Sequence, residues 1–235
     1  MYREIMPRRT GRSAELAEIT PMLQQYLRVK EEYPQTLVFF RLGDFYELFN
    51  DDALIASREL EIVLTGREAG KDVRMPMCGV PYHAATQYIG KLLARGYRVA
   101  LCEQVEDPRL AKGLVAREVV RVYTPGTVVE EGLLPRANTN NYLVAVAEER
   151  GRYGLATTDL STGEFLVSEV ARWELAADEL TRLAPTELLL QNELPQMPEQ
   201  VRAKTIDPAH FKDCAAARAL LAEQYGMASA EATGL

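Results

Sequence analysis

An α/β chain in two domains is what this sequence predicts, on three observations. Up to residue 124, short β-rich runs alternate with stretches whose apolar residues recur every three or four positions. TPGTVVEEGLLPRANTN, rich in Pro, Gly, Asn and Thr, then interrupts that alternation. Beyond it, three hairpin-spaced strands precede the next helix. At 235 residues the chain is long enough for two ordinary domains.

Residues 1–19, MYREIMPRRTGRSAELAEI, read as a flexible tail, basic at first and without the apolar stretch of a secretory signal. PMLQQYLRVKEEY (21–33) has helical spacing, with Thr20 as N-cap and Pro21 in the first turn. TLVFFRL (36–42) is a continuous apolar run and reads as a buried strand. After Gly43 the residues Tyr46, Phe49, Ala53, Ala56 and Leu60 fall at steps of three and four, which predicts a helix from the Gly-Asp turn onward. A short strand (61–65), a polar loop (GREAGKDVR, 66–74) and an irregular turn (PMCGVPYH) are expected next. AATQYIGKLLARG reads as a helix, and YRVALCEQ and REVVRVY as strands. The first domain is thus placed at 20–124, a linker at 125–140 and a second domain at 141–235. In the second, YLVAVAEE, YGLATTD and EFLVSEV read as strands joined by tight turns. Helix ARWELAADELTRL, strand TELLL, strand AKTID and helix DCAAARALLAEQYG follow.

The composition excludes several classes. No apolar run approaches a membrane span. Cys78, Cys102 and Cys214, with only His83 and His210 besides, do not make a zinc site. Three reduced, buried thiols are expected, which fits a cytoplasmic protein. The net charge of −7 argues against a protein that coats nucleic acid. It is uneven, however. Residues 20–124 hold 14 basic and 14 acidic residues, whereas 125–235 hold 9 and 17. Contact with DNA is therefore expected from the first domain.

The stretch RLGDFYELFNDDA carries the chemistry. Asp44-Phe-Tyr-Glu47 has capping-box spacing, with Asp44 accepting from the amide of Glu47 and Glu47 reaching back. The alternative starts from Phe45, which lies beside the apolar stripe. Tyr46 and Phe49 already supply aromatic mass to a core, so Phe45 is expected to be exposed while those two are buried. An exposed aromatic at a tip is a contact residue. The neighbouring loop offers Arg67, Lys71 and Arg74 as phosphate contacts, or as a merely solvated basic loop.

TPMLQQYLRVKEEYPQTLVFFRLGDFYELFNDDA, MPMCGVPYHAATQYIGKLLARGYRVALCEQVEDP and KGLVAREVVRVYTPGTVVEE resemble, in order, the mismatch-recognition domain of the bacterial MutS family of DNA mismatch repair proteins. NNYLVAVAEE and YGLATTDLSTGEF resemble its RNase H-like connector domain. The resemblance implies a mixed-sheet mismatch-binding domain followed by the connector. It maps the family's Phe-x-Glu motif onto Phe45 and Glu47. It implies that Phe45 enters the minor groove and stacks on a mispaired base, while Glu47 accepts a hydrogen bond from that base. A mispair has already lost part of its stacking, so a wedge enters there at lower cost. At a matched pair, Glu47 finds no free donor and repels the backbone.

The resemblance also implies a homodimer partner, MutL as a second partner, and ATP with Mg2+ for a C-terminal ATPase. The sequence contains no GxxxxGK[ST], since GREAGKD has three residues between its glycines and Asp after the Lys. No catalytic residue, metal or cofactor is therefore assigned to this chain. It reads as an N-terminal fragment whose connector stops short of its last elements. A rival reading starts from the RNase H likeness: Asp159, Glu164, Asp178 and Asp207 would have to converge as carboxylates of a two-metal nuclease. Likeness of fold alone does not carry that activity.

Overall fold

The computed structural model describes residues 19–70, 73–106, 113–130, 132–134, 139–193, 203–206, 211 and 213–227. The chain divides between Asn141 and Tyr142 into two compact units. The first is built on a six-stranded mixed sheet, the second on a five-stranded mixed sheet.

Helix α1 (Pro21–Glu32) begins at Pro21 as its spacing predicts, although the Thr20 side chain makes no capping bond. It buries Leu23, Tyr26 and Val29, three residues at helical steps. Strand β1 (Leu37–Leu42) explains why its sequence is apolar without alternation. Leu37 and Phe39 face one core cluster, Val38 and Phe40 the other, and all four are buried. A strand covered on both faces needs apolar side chains at every position. Each such Phe or Leu stabilises the fold by about 1.5–3 kcal/mol.

The next element differs from the helix expected after Gly43. Gly43 has φ +57°, and Leu42 pairs directly with Phe45, so Gly43 and Asp44 form a two-residue hairpin loop. A glycine at the first central position suits the turn type that reverses a twisted strand. Residues Phe45–Phe49 therefore form strand β2, antiparallel to β1, and helix α2 spans Asn50–Leu60. The step of three between Tyr46 and Phe49 is coincidental. The two rings enter opposite cores of a strand that is itself interior to the sheet. From Ala53 onward the helical stripe is as expected, with Ala53, Ala56 and Leu60 buried.

Strands β3 (Thr65–Gly70) and β4 (Val73–Pro81) form a hairpin where a polar loop and an irregular turn were expected. β3 is an edge strand, paired on one side only, which tolerates its Gly, Arg and Glu residues. β4 lies between β3 and β2 and buries Met75, Cys78 and Val80. Helix α3 (Ala85–Leu93), strand β5 (Val99–Gln104) and strand β6 (Arg117–Tyr123) complete the unit in the order β3-β4-β2-β1-β5-β6. Val128 and Leu133, within the stretch expected as a linker, are buried in the first unit's core. The Asn141 amide donates to the carbonyl of Pro125 at 2.8 Å.

In the second unit, β7 (Leu143–Glu149), β8 (Arg152–Asp159) and β9 (Glu164–Val170) form the expected antiparallel meander. Helix α4 (Trp173–Leu183) packs Ala176 and Leu180 on it. β10 (Glu187–Leu190) lies parallel to β7, and β11 (Ala203–Ile206) parallel to β10. Helix α5 (Cys214–Tyr225) follows, capped by Asp213, whose side chain accepts from the amide of Ala216. Meander, helix and parallel strands make the RNase H-like arrangement that the resemblance implies.

Candidate nucleic-acid interface

The β1–β2 turn presents Phe45 outward. Phe45 is 47% exposed, whereas Tyr46 is 4% exposed and Phe49 is fully buried. This is the pattern expected from sequence, produced by strand alternation and not by a helix face. In a strand, residues two apart share a face, so Phe45 and Glu47 stand together on the face of β2 opposite to Tyr46 and Leu48.

The turn is braced from several sides. The Arg41 guanidinium donates through Nε to the carbonyl of Gly43 at 2.6 Å and lies over the Tyr82 ring at 3.9 Å. The Tyr82 amide donates to the carbonyl of Asp44 at 2.9 Å. Arg41 also approaches Glu103 at 3.7 Å, and Glu103 accepts the Tyr46 hydroxyl. Burial, and then Glu103, push the Tyr46 phenol well above its usual pKa, so it stays a donor. Behind β1, the buried Arg117 donates to the carbonyl of Arg41 at 2.7 Å and lies over the Phe40 ring.

Asp44 is not a helix cap. It is exposed in the hairpin loop, and α2 starts six residues later with Phe49 at the N-cap and no side-chain capping bond. The capping box fails because its four residues belong to a turn and a strand. Glu47 is instead paired with Arg67. Arg74 pairs in register with Glu68, one position along from the Arg67–Met75 pair, so it points to the other face of the hairpin. There its side chain occupies the space a Cβ on Gly66 would need. Lys71 lies outside the described residues.

Gly79 was missed from sequence. It pairs with Glu47 across β2 and β4. A Cβ there would stand 3.3 Å from the Tyr46 carbonyl, 3.6 Å from Glu47 Cγ and 3.8 Å from Phe45 Cδ1. The missing side chain leaves the floor beneath both candidate residues open. Arg41 and Arg117 were also missed, because nothing in their local spacing marks a residue that braces a turn.

Among the described residues, the candidate carboxylates of the second unit do not come together as a group of three. Asp159 is buried at the end of β8, in register with Glu164, which accepts the Tyr142 hydroxyl at 3.1 Å. Asp178 is exposed on α4, and Asp207 lies outside the described residues. Among the described residues no group of three or more His, Cys, Asp or Glu is placed to hold a metal. No helix among them is long and apolar enough to cross a membrane.

Comparison with known proteins places these two units. Residues 20–132 match the model of MutS domain I, and residues 141–235 match that of MutS domain II. The chain belongs to the MutS family. It is 60% identical over 173 residues to the DNA mismatch repair protein MutS of Carboxydothermus hydrogenoformans, covering 73% of this chain and 20% of that one. It is 52% identical over 210 residues to MutS of Brevibacillus brevis, covering 89% and 24%. Against MutS of Symbiobacterium thermophilum it is 47% identical over 230 residues, covering 93% and 26%. The chain thus spans about a quarter or less of the length of these MutS relatives.

Proposed function

We propose that the first unit recognises mismatched duplex DNA, with Phe45 as an aromatic wedge and Glu47 as the acceptor for a displaced base. The observation that carries this is the half-exposed Phe45 at a braced two-residue turn, with Glu47 on the same strand face. A wedge that unstacks a base step works against roughly a few kcal/mol. A floppy ring would give way under that load. The bonds to the Gly43 and Asp44 carbonyls hold the ring's base in place.

In this reading ATP and Mg2+ act in parts of the full-length protein outside domains I and II. A second MutS subunit and MutL are the further partners. The acidic second unit is the candidate surface for MutL, since its charge disfavours DNA.

The test is titration of the chain with G·T and matched duplexes at one low, fixed salt concentration. Phe45→Ala should weaken mismatch binding roughly ten- to a hundred-fold, from ~1–3 kcal/mol of aromatic stacking, and change matched-duplex binding little. Glu47→Ala removes an anion facing the backbone, so matched-duplex affinity should rise and discrimination should shrink. An unchanged mismatch-to-matched ratio in both variants overturns the reading.

A further inference from the structure

Glu47 presents an electrostatic problem that the wedge alone does not solve. A carboxylate facing a duplex meets closely spaced phosphate charges. Its side chain is only 15% exposed, so water screens it incompletely. It must also keep an oxygen free and aimed if it is to accept a bond from a base.

The edge hairpin supplies what is needed. Arg67, on β3, donates through Nη1 to Oε2 of Glu47. Among the described residues, that is the hydrogen bond the Glu47 carboxylate makes, and Oε1 is left open. β4 separates β3 from β2, so Arg67 reaches Glu47 across one intervening strand. The residue of β4 paired with Glu47 is Gly79, whose missing side chain leaves open the space beside Glu47 Cγ. Arg67 also feels Arg117, whose guanidinium is depressed first by burial and, among lesser causes, by repulsion from Arg67. Glu47 is thus the anion that Arg67 bonds.

We infer that Arg67 is a positioning residue for recognition. It holds Oε2 of Glu47, turns Oε1 toward the displaced base, and offsets the carboxylate's repulsion of the phosphates. This rests on the wedge-and-acceptor reading above, and it deepens it. It also replaces the simpler idea that Arg67 grips a phosphate. An arginine whose guanidinium is bonded to a carboxylate has little net charge to offer a second anion. Because the contact runs through one nitrogen and not a two-pronged pair, lysine can substitute for it.

A double-mutant cycle on the 235-residue chain distinguishes these roles. Arg67→Ala, Glu47→Gln, the pair, Arg67→Lys and Phe45→Ala are titrated with G·T and matched duplexes at several salt concentrations. If Arg67 acts through Glu47, Arg67→Ala weakens mismatch binding between about twofold and about a hundredfold, the range of residues in contact. The same change then has almost no effect in the Glu47→Gln background, and Arg67→Lys restores most of the loss. If Arg67 grips a phosphate, its removal costs the same in both backgrounds. It also lowers the salt slope by about one in each. That additive result overturns the inference while leaving the wedge reading intact. An unchanged mismatch preference in Phe45→Ala, or none in the unmodified chain, overturns the wedge reading and the inference with it. Circular dichroism of each variant separates loss of folding from loss of binding.

Discussion

Glu47 and Gly79 face each other across β2 and β4, and the space a side chain would take at Gly79 is bounded by Glu47 Cγ and Phe45 Cδ1. A glycine inside a strand weakens it, and it often marks a place where another group approaches closely. Here that group is the pair of candidate recognition residues.

A graded series follows from those distances. Gly79→Ala puts a methyl 3.3 Å from the Tyr46 carbonyl and in ordinary contact with Glu47 and Phe45, so its effect on DNA binding should be small. Gly79→Val adds two further carbons that must displace one or both side chains. Valine favours strands, so its stability should hold within about 1 kcal/mol. Loss of mismatch discrimination in Gly79→Val, with a melting temperature shifted by no more than about 5 °C, is the expected outcome. Equal binding by all three chains would mean the open floor has no role in recognition.

Phe45 and Phe49 are four residues apart and should separate function from stability. Phe49 is fully buried and packs edge-on against Tyr26 at 4.9 Å between ring centroids. Phe49→Ala should cost about 3–5 kcal/mol. Phe45→Ala, at an exposed tip, should stay within about 0.5 kcal/mol. Urea denaturation followed by circular dichroism measures both. A large loss of stability in Phe45→Ala would make the ring a structural element.

The three thiols should react unequally. Burial pushes the thiols of Cys78 and Cys102 up to about 12, so at pH 8 neither holds appreciable thiolate. Cys214, expected to be buried like the others, is instead exposed at the first turn of α5. The expected outcome with a thiol-reactive disulfide reagent at pH 8 is one fast equivalent per folded chain and three in urea. Rapid reaction of a second thiol in the folded chain would contradict the buried positions of Cys78 and Cys102.

The sequence carried the fold where one physical signal dominated. The both-sides-apolar β1, the stripe of α1 and the turn-spaced meander β7–β8–β9 were all legible. The failures cluster around β2, β3 and β4. Tyr46, Phe49 and Ala53 satisfy a helical period, yet Gly43 reverses the chain first. Which signal wins depends on whether β1 and β4 are there to pair with β2, and that is tertiary information. Strand β3 escapes notice because an edge strand needs no apolar alternation, and β4 because its two prolines and its glycine read as a turn. At the site, Phe45 was found by being surplus to the core. Gly79 and the Arg67–Glu47 pair could not be found that way, since each is defined by a neighbour remote in sequence.

Asp52 was missed for the same reason, and it gives the pH prediction. It reads as one more acid in the first turn of α2, yet it is 2% exposed. Its carboxylate accepts from Lys30 Nζ at 2.7 Å, the Val38 amide at 3.0 Å and the Tyr26 hydroxyl at 3.1 Å, tying α1, β1 and α2 together. Burial raises its pKa above the ordinary carboxylate value, and Lys30 only partly opposes this. The folded state therefore holds the proton more tightly than the unfolded state does. The stability contributed by that preference is full below the unfolded value of about 3.9. It is lost as pH rises through the raised folded value. Asp52→Asn cannot titrate, so the stability of the wild type relative to this variant should decline across that window and then flatten. Lys30→Met removes the opposing cation and should move the window to higher pH. Asp52→Ala strands three donors and should cost about 3–5 kcal/mol at neutral pH. Urea titrations from pH 4 to 8, followed by far-ultraviolet circular dichroism, measure these changes. A stability difference between wild type and Asp52→Asn that stays flat from pH 4 upward would mean that Lys30 holds Asp52 ionised in spite of its burial.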